Sequence, residues 1–264
     1  MLDVRSIHIT FNPGTPLENK ALRGLSLQIP EGQFVTVIGS NGAGKSTLLN
    51  AVSGDLSIDS GRILIDDTDV TRTPVWRRAR HVARVFQDPM AGTCEDLTVE
   101  ENMALADRRG LLRNLARAVQ PSRRDDYRQR LATLGLGLED RLSDRIGLLS
   151  GGQRQAVSLL MAALRPSRIL LLDEHTAALD PRTAGFVLAL TSRIVAEHKL
   201  TTMMVTHSMR QALDIGDRTI MLHQGQIVLD VSGEARRNMT VQDLLAQFER
   251  VRGETVSDDA LLLG

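Results

Sequence analysis

A glycine-rich segment that ends in lysine and serine carries the clearest chemistry of the sequence. Residues 39–46 fit the pattern G-x-x-x-x-G-K-[ST] and lie between a predicted buried strand, residues 34–38, and a predicted helix that ends near Gly54. Glycines let backbone N–H groups surround phosphate oxygens, and the helix N-terminus adds partial positive charge. We therefore predict a nucleoside triphosphate site here, called the phosphate-binding loop, formed by Gly39, Ser40, Asn41, Gly42, Ala43, Gly44, Lys45, Ser46 and Thr47.

Two residues of this loop have separate predicted roles. Lys45 carries a compact ammonium group, which we expect on the β- and γ-phosphates, and the Ser46 hydroxyl is expected on Mg²⁺. Alone, the motif indicates only a nucleoside triphosphate, because GTPases, kinases and motor proteins share it.

Two carboxylates follow a second predicted buried strand, residues 169–172. The carboxyl ends of strands are where α/β folds bind their ligands, so we predict that Asp173 holds Mg²⁺ and that Glu174 polarises the attacking water. The alternative is an acidic pair at a helix N-terminus, where such residues are common. The phosphate-binding loop favours the catalytic interpretation.

The segment Leu149–Gln153, called the signature segment, predicts a second phosphate site. Ser150 is a good N-cap for a helix that runs to about Arg165, and Gly151 and Gly152 leave N–H groups open to an anion. A nucleotide has one γ-phosphate, which Lys45 already binds. The economical interpretation is a dimer in which the signature segment of one copy closes on the nucleotide of the other.

Composition excludes several classes of protein. The 264 residues contain 32 Lys plus Arg and 32 Asp plus Glu, and this balance argues against a dedicated nucleic-acid binder. Cys94 is the only cysteine, which excludes an internal disulfide and a cysteine-based zinc site. The N-terminus shows no secretory signal, and no apolar run approaches the roughly 20 residues that span a bilayer. If the protein works at a membrane, another chain must cross it.

The hydrophobic pattern predicts one α/β domain with a helical insertion. Strands alternate with helices at both ends, and a hairpin is predicted around Gln224-Gly225. Between them, leucines recur at helical spacing, interrupted by Pro121, and a last helix is predicted after Thr240, with Asp243 in the capping-box position. We expect a catalytic core over about 1–87 and 161–235, a helical subdomain over about 88–160 and a tail over about 236–264. The leucines are Leu105, Leu111, Leu112, Leu115, Leu131, Leu134 and Leu136.

In this order, the segments resemble those of the ABC transporter ATPases over nearly the whole chain. The phosphate-binding loop matches Walker A, Leu149–Gln153 matches the family signature and Ile169–Asp173 matches Walker B, with Glu174 as the catalytic carboxylate. The resemblance implies a P-loop NTPase fold of the ABC type, with a mostly parallel sheet core, an N-terminal antiparallel β region and a helical subdomain. It implies ATP and Mg²⁺ as ligands, ATP hydrolysis in a head-to-tail homodimer, and separate integral membrane permease subunits.

Four further residues have roles that only the resemblance implies. Gln87 resembles the Q-loop glutamine that contacts Mg²⁺ or the attacking water, and His207 resembles the switch histidine on the γ-phosphate. Asp180 resembles the D-loop residue that crosses the dimer interface. Phe11 is the best-placed aromatic residue to stack on adenine; the alternative is that Phe11 packs beneath the N-terminal sheet.

The chain departs from the family pattern after Glu174. Where much of the family has Pro and Ser, this sequence has His175 and Ala177. The resulting segment resembles a subgroup of bacterial importer ATPases that pair with branched-chain-amino-acid-type permeases, some of them assigned to aromatic amino acids. The resemblance implies import of a small solute such as an amino acid, a solute-binding protein in the system, and a location on the cytoplasmic face of the membrane. The alternative for His175 is a surface variant.

Other functions remain open at this stage. An exporter ATPase, a non-transporting regulator of a membrane partner and a soluble ABC ATPase of DNA repair or translation share these motifs, although the last class usually carries longer insertions or two such domains. The eight arginines between Arg108 and Arg130 favour a solvated helical face. The alternative is contact with anionic lipid headgroups or permease loops.

Overall fold

The computed structural model describes residues 1–111 and 117–252. In these ranges it contains ten β-strands and nine α-helices, in the order β1 Leu2–Phe11, β2 Asn19–Ile29, β3 Phe34–Gly39, α1 Lys45–Ser53, β4 Ser60–Ile65, β5 Thr68–Asp69, α2 Val75–Arg78, β6 Val82–Val85, α3 Val99–Asp107, α4 Arg124–Ala132, α5 Gly151–Ala163, β7 Ile169–Asp173, α6 Pro181–His198, β8 Thr201–Val205, α7 Met209–Asp214, β9 Arg218–His223, β10 Gln226–Ser232, α8 Gly233–Arg237 and α9 Val241–Arg252.

The chain divides into two compact units. The first unit combines Met1–Arg78 with the chain from Leu200 onward, and the second unit is Ala79–Lys199. The second unit therefore includes β6, β7 and α6 in addition to the helical middle of the chain. The predicted boundary between a catalytic core and a helical subdomain stays a prediction.

The N-terminal antiparallel sheet of the first unit has the strand order β2-β1-β4-β5. Leu2 pairs with Ile29, and Val4 pairs with Leu27, so the apolar residues of both strands lie on one face. Along β2 the side chains of Leu25, Leu27 and Ile29 are buried and those between them are exposed, as the alternating sequence predicts.

A second sheet of the first unit contains the strand that leads into the phosphate-binding loop. Its order is β10-β9-β3-β8, and β3 pairs in parallel with both neighbours. Every residue of β3 is buried, as expected of a strand covered on both faces. The predicted hairpin is confirmed: β9 and β10 are antiparallel, and Gln224 and Gly225 have positive φ angles of 45° and 78° at their turn.

The second unit contains a parallel pair of strands and a group of helices. β6 pairs with β7 in a register that puts Arg84 beside Leu171. α3 begins with a capping box between Thr98 and Glu101, and Pro121 begins a short 3₁₀ turn that leads into α4. Leu131 and Leu134 are buried, whereas Leu112 and Leu115 lie outside the described residues.

Most of the arginines between residues 108 and 130 have partners inside the protein. Four of them form ion pairs, Arg123–Asp107, Arg124–Glu100, Arg128–Asp125 and Arg130–Asp126. Arg109 is mostly buried and donates to the carbonyls of Ala162 and Arg165 at the end of α5. Arg113 lies outside the described residues. These four arginines therefore have carboxylate partners within the chain and do not need anionic lipid headgroups to balance their charge. Across residues 1–111 and 117–252, no helix combines the length and apolar character needed to cross a membrane.

A buried arginine fixes the end of the helix that follows the phosphate-binding loop. The Arg78 side chain donates to the carbonyls of Ala51 and Val52 in the last turn of α1, and also to those of Val70 and Thr71. Its burial lowers the pKa of the guanidinium. A cation at this position satisfies carbonyls that the helix itself cannot pair and interacts favourably with the helix dipole.

We expect Arg78→Met to lower the free energy of unfolding by about 2–4 kcal/mol, because several buried carbonyls lose a charged donor. Urea denaturation measures the change. The matched control is Arg77→Met, since Arg77 is exposed and stacks on Trp76. Its effect should stay within about 0.5 kcal/mol. Equal losses for the two variants would contradict this role of Arg78.

Candidate phosphate-binding and catalytic site

The phosphate-binding loop requires glycine at two positions because other backbone segments pack against it. At Gly44, where φ is 100°, a Cβ atom would lie 2.7 Å from the carbonyl oxygen of Ala21. At Gly39, where φ is 150°, a Cβ atom would overlap the carbonyl oxygen of Leu222. The close approach of these carbonyls, together with the positive φ angles, excludes larger residues from both positions.

Lys45 and the start of α1 give the loop a positive potential. The Lys45 side chain is buried, and its Nζ donates to the carbonyl oxygens of Gly39 at 2.7 Å and Ser40 at 3.0 Å. Gly44 is the N-cap of α1, so no side chain caps the helix, and its first turn contains no acidic residue. A helix start without a side-chain cap or an acidic residue suits an anion, which fits a bound phosphate group.

The β9–β10 turn supports the loop, a contact that the sequence analysis missed. The Gly225 N–H donates to the Ala43 carbonyl at 3.0 Å, and the Gly225 carbonyl accepts from the Arg23 N–H at 3.0 Å. A Cβ atom on Gly225 would lie 2.5 Å from the Ala21 carbonyl oxygen. The Gln-Gly pair predicted a turn, but nothing in its pattern indicates that the turn contacts residues as distant along the chain as Arg23 and Ala43.

Phe11 and His207 also belong to the first unit. Phe11 ends β1 and is 37% exposed, so part of its ring is open to solvent. The choice between stacking on adenine and packing beneath the N-terminal sheet stays a prediction. His207 is half-buried between β8 and α7. The loop around it is held by two hydrogen bonds, from the Thr206 hydroxyl to Gln211 Oε1 and from the Gln211 N–H to the hydroxyl of Ser208.

In the second unit, Asp173 ends β7 and forms an ion pair that the sequence analysis did not identify. Arg84 Nη2 lies 2.6 Å from Asp173 Oδ2, and both side chains are mostly buried, at 12% and 13% exposure. The guanidinium carbon of Arg84 also lies 4.6 Å from the centre of the Phe86 ring. The sequence signal was the arginine at an inward-facing position of an otherwise apolar strand.

Glu174 and His175 follow directly in a tight turn. Glu174 has a positive φ of 45°, which is strained for a residue with a Cβ atom, and its carbonyl accepts from the Ala177 N–H. His175 is 2% exposed, so the alternative that it is a surface variant is wrong. Its Nε2 lies 2.9 Å from the Thr191 hydroxyl, which itself donates to the Val187 carbonyl. The imidazole is therefore the donor to Thr191.

Burial sets the charge of this imidazole. It lowers the pKa of His175 from 6.5 to about 4, because an imidazolium in this position would lose its hydration. His175 is consequently neutral near pH 7 and acts as a hydrogen-bond donor inside the unit.

The signature segment begins α5 with a complete capping box. The Ser150 hydroxyl accepts from the Gln153 N–H, and Gln153 Oε1 accepts from the Ser150 N–H, each at 3.2 Å. Because Ser150 Oγ is the acceptor in this pair, its own proton is left to donate to a phosphate oxygen.

The two glycines of the signature segment differ in environment. Gly151 is exposed, and a Cβ atom there would make an ordinary contact of 3.7 Å with Leu179. Gly152 is buried, and a Cβ atom there would overlap Cγ2 of Thr183 in the first turn of α6. The missing side chain of Gly152 therefore lets α5 pack against α6. The expectation that the N–H groups of both glycines bind an anion stays a prediction.

Asp180 and Gln87 are the remaining two residues whose roles the family resemblance implied. Asp180 is the N-cap of α6, and its Oδ1 accepts from the Thr183 N–H at 3.1 Å. Hydrogen bonds from Thr183 lower the pKa of Asp180. Gln87 is exposed and lies two residues after the end of β6. The carbonyl of Phe86, between them, accepts from Nε2 of the buried Gln155 in α5. The segment before Gln87 is thus tied to the signature helix.

The residues predicted to bind Mg²⁺ offer hydroxyl, amide and carboxylate oxygens, which are the ligand types that this hard cation prefers. Ser46 lies in the first unit, and Gln87 and Asp173 lie in the second. Ser46 and Gln87 are exposed, and the Asp173 carboxylate lies at the carboxyl end of its strand. The chemistry of these three side chains fits the ion.

Comparison with known proteins supplies the family. The sequence pattern of the family described as ABC transporter matches residues 22–177 of this chain. The chain belongs to the ABC transporter family, as an ATP-binding subunit. ATP binding and ATP hydrolysis are therefore its activity, and the resemblance of the three motifs to those of the family is confirmed.

Two curated relatives of this ABC ATPase match most of its length. It is 46% identical to a tyrosine transport ATP-binding protein of Clostridioides difficile. The 251 aligned residues cover 94% of this chain and 99% of the relative. It is 37% identical to the thiamine import ATP-binding protein of Escherichia coli. The 202 aligned residues cover 76% of this chain and 82% of the relative.

Solved structures agree with this assignment. A dimeric ATP-binding cassette in a post-hydrolysis state with ADP and Pi matches the ABC ATPase with a TM-score of 0.75 and 27% identity, covering 88% of this chain and 98% of that chain. The expected P-loop fold of the ABC type, with its mixed sheets and inserted helices, is confirmed.

We expect Gly152→Ala in this ABC ATPase to lower the free energy of unfolding by about 1–3 kcal/mol, because the new methyl group overlaps Thr183 Cγ2. Adding Thr183→Ser removes that methyl group and should restore most of the loss, while the backbone bond to Asp180 remains. Gly151→Ala is the matched control, with no steric conflict. Urea denaturation of the four proteins provides the measurement, and a failure of the serine substitution to restore stability would refute the packing role.

Proposed function

We propose that this ABC ATPase drives the import of a small solute, such as an amino acid, through separate integral membrane permease subunits. One observation carries the proposal: 46% identity over 94% of the chain to a protein named for tyrosine transport. The thiamine import relative supports the direction of transport. The proposal includes a solute-binding protein that delivers the solute and a position on the cytoplasmic face of the membrane, held by the permease.

ATP binding is assigned to two copies of the chain. The Lys45 ammonium and the N–H groups at the start of α1 bind the β- and γ-phosphates, and the exposed Phe11 ring stacks on adenine. The Ser150 hydroxyl of the second copy donates to the γ-phosphate of the same nucleotide, and Asp180 lies at the interface between copies. The dimeric form of the related cassette supports this arrangement.

Hydrolysis is assigned to Glu174, Gln87 and His207. The Glu174 carboxylate accepts a hydrogen bond from the attacking water and polarises it, and the turn with positive φ fixes the direction of that carboxylate. Gln87 orients the water, and the His207 side chain donates to the γ-phosphate. Ser46, Gln87 and Asp173 would hold Mg²⁺, which neutralises charge on the phosphate oxygens.

Transport follows from a difference in affinity. The nucleotide contacts two copies only when the signature segment of one lies against the phosphate-binding loop of the other. ATP therefore stabilises the closed pair and hydrolysis releases it, and this difference in binding energy is what can move the permease.

We expect Glu174→Gln to lower the rate of ATP hydrolysis by about 100-fold or more, because the amide cannot accept a proton from water. ATP binding should persist, and size-exclusion chromatography in ATP should show a dimer. Glu197→Gln, an exposed substitution on α6, is the matched control and should hydrolyse ATP at the wild-type rate. Equal rates of ATP hydrolysis by the wild type, Glu174→Gln and Glu197→Gln would show that Glu174 is not the catalytic carboxylate.

The transported solute is tested in cells that lack this chain. We expect uptake of radiolabelled tyrosine, or of another amino acid in a panel, to fall in the deletion strain and to return with the wild-type protein. Lys45→Ala should fail to restore uptake because the phosphates lose their cation, whereas the exposed control Lys20→Ala should restore it. Accumulation of the solute in the deletion strain would instead identify an exporter, and unchanged fluxes with intact ATPase activity would identify a regulator.

A further inference from the structure

Arg84 lies against the carboxylate that the proposed function assigns to Mg²⁺. Its Nη2 is 2.6 Å from Asp173 Oδ2, and the side chains are only 12% and 13% exposed. The guanidinium also lies over the ring of Phe86, two residues further along the chain. These two contacts therefore hold the Arg84 guanidinium beside Asp173, and little water screens the charge of the guanidinium.

We propose that Arg84 is a positioning residue that acts as an internal counter-ion of Asp173 and makes metal binding at this carboxylate depend on bound nucleotide. This inference rests on the proposed role of Asp173. Without nucleotide, the guanidinium neutralises the carboxylate and a divalent cation has to compete with it. With nucleotide, the phosphate oxygens add negative charge, and the cation binds despite the guanidinium.

The strand register explains why the pair forms. Arg84 is in register with Leu171 of the parallel neighbour, and Asp173 lies two residues further along β7, on the same face as Leu171. The long arginine side chain spans this offset, which a shorter side chain on β6 would not do as well. Phe86 follows β6 directly, and the guanidinium lies over its ring, which supports the cation by a cation–π contact.

Charge decides the direction of the effect. Arg84 could also help Mg²⁺ by orienting the carboxylate, but aspartate has few rotamers and the carboxylate ends a rigid strand. Repulsion between a guanidinium and a divalent cation across a few ångströms of poorly hydrated protein is the larger effect. Removal of the positive charge should therefore strengthen Mg²⁺ binding.

The test uses ADP and Mg²⁺ as probes, because ADP gives a binding measurement that needs no turnover. The affinity of the full chain for fluorescent ADP is measured in EDTA and then along a Mg²⁺ titration. Arg84→Gln keeps a donor to Asp173 and removes the charge, whereas Arg84→Lys keeps the charge. The control Arg168→Gln removes an exposed charge just before the opposite end of β7.

We expect the Mg²⁺ concentration at half-saturation to fall on the order of tenfold in Arg84→Gln and to stay near the wild-type value in Arg84→Lys and in the control. In an Asp173→Asn background, Arg84→Gln should have no effect on the Mg²⁺ titration, which assigns the coupling to this pair. Urea denaturation confirms that each variant is folded at the temperature of the titration.

The outcomes separate the two hypotheses. If wild-type ADP affinity responds to Mg²⁺ and Arg84→Gln titrates like wild type, or needs more Mg²⁺, the counter-ion role is overturned while the role of Asp173 stands. A loss of stability with an unchanged titration assigns Arg84 a structural role only and also overturns the inference. If wild-type affinity does not respond to Mg²⁺, or Asp173→Asn responds like wild type, the proposed metal role of Asp173 fails and this inference fails with it.

Discussion

The first turn of α1 has no side-chain cap, and the phosphate-binding loop depends on this feature. A helix start normally finds a serine, threonine or aspartate to satisfy its free N–H groups, but here the N-cap is Gly44 and the first helical residue is Lys45. An anion is the natural partner for such a helix end. The signature segment shows the contrast, because Ser150 and Gln153 form a reciprocal side-chain cap there, and the Ser150 hydroxyl keeps its own proton for the ligand.

Mostly buried arginine side chains bind the C-terminal ends of three helices whose N-terminal ends carry predicted nucleotide contacts. Arg78 donates to carbonyls at the end of α1, Arg109 to those at the end of α5, and Arg236 to those of Ala212 and Ile215 at the end of α7. Burial lowers the pKa of each of these arginines. Lys45 begins α1, Ser150 is the N-cap of α5 and His207 lies just before α7. Each predicted nucleotide contact therefore lies at the start of a helix whose far end is fixed by a charged donor.

Short-range patterns in the sequence predicted most elements, because each depends on neighbours along the chain. The phosphate-binding loop, the hairpin at Gln224-Gly225 and the capped helix after Thr240 are set by local backbone preferences. The contacts that the sequence did not reveal join distant residues. Gly225 supports the loop, Arg84 pairs with Asp173, and Gly152 makes room for Thr183, and none of these pairs has a fixed spacing that a single sequence can display.

The β1–β2 and β9–β10 connections of the first unit differ in what they would tolerate from protein engineering. The segment between β1 and β2, residues 12–18, is exposed along its length, so an epitope tag or a fluorescent domain inserted there would extend into solvent. The turn at Gln224-Gly225 is as short as a hairpin allows, and its backbone is hydrogen-bonded to Ala43 and Arg23. Any insertion there would separate these partners and disturb the loop that binds the nucleotide. One surface turn is consequently a site for attachment, and the other belongs to the machinery of the active site.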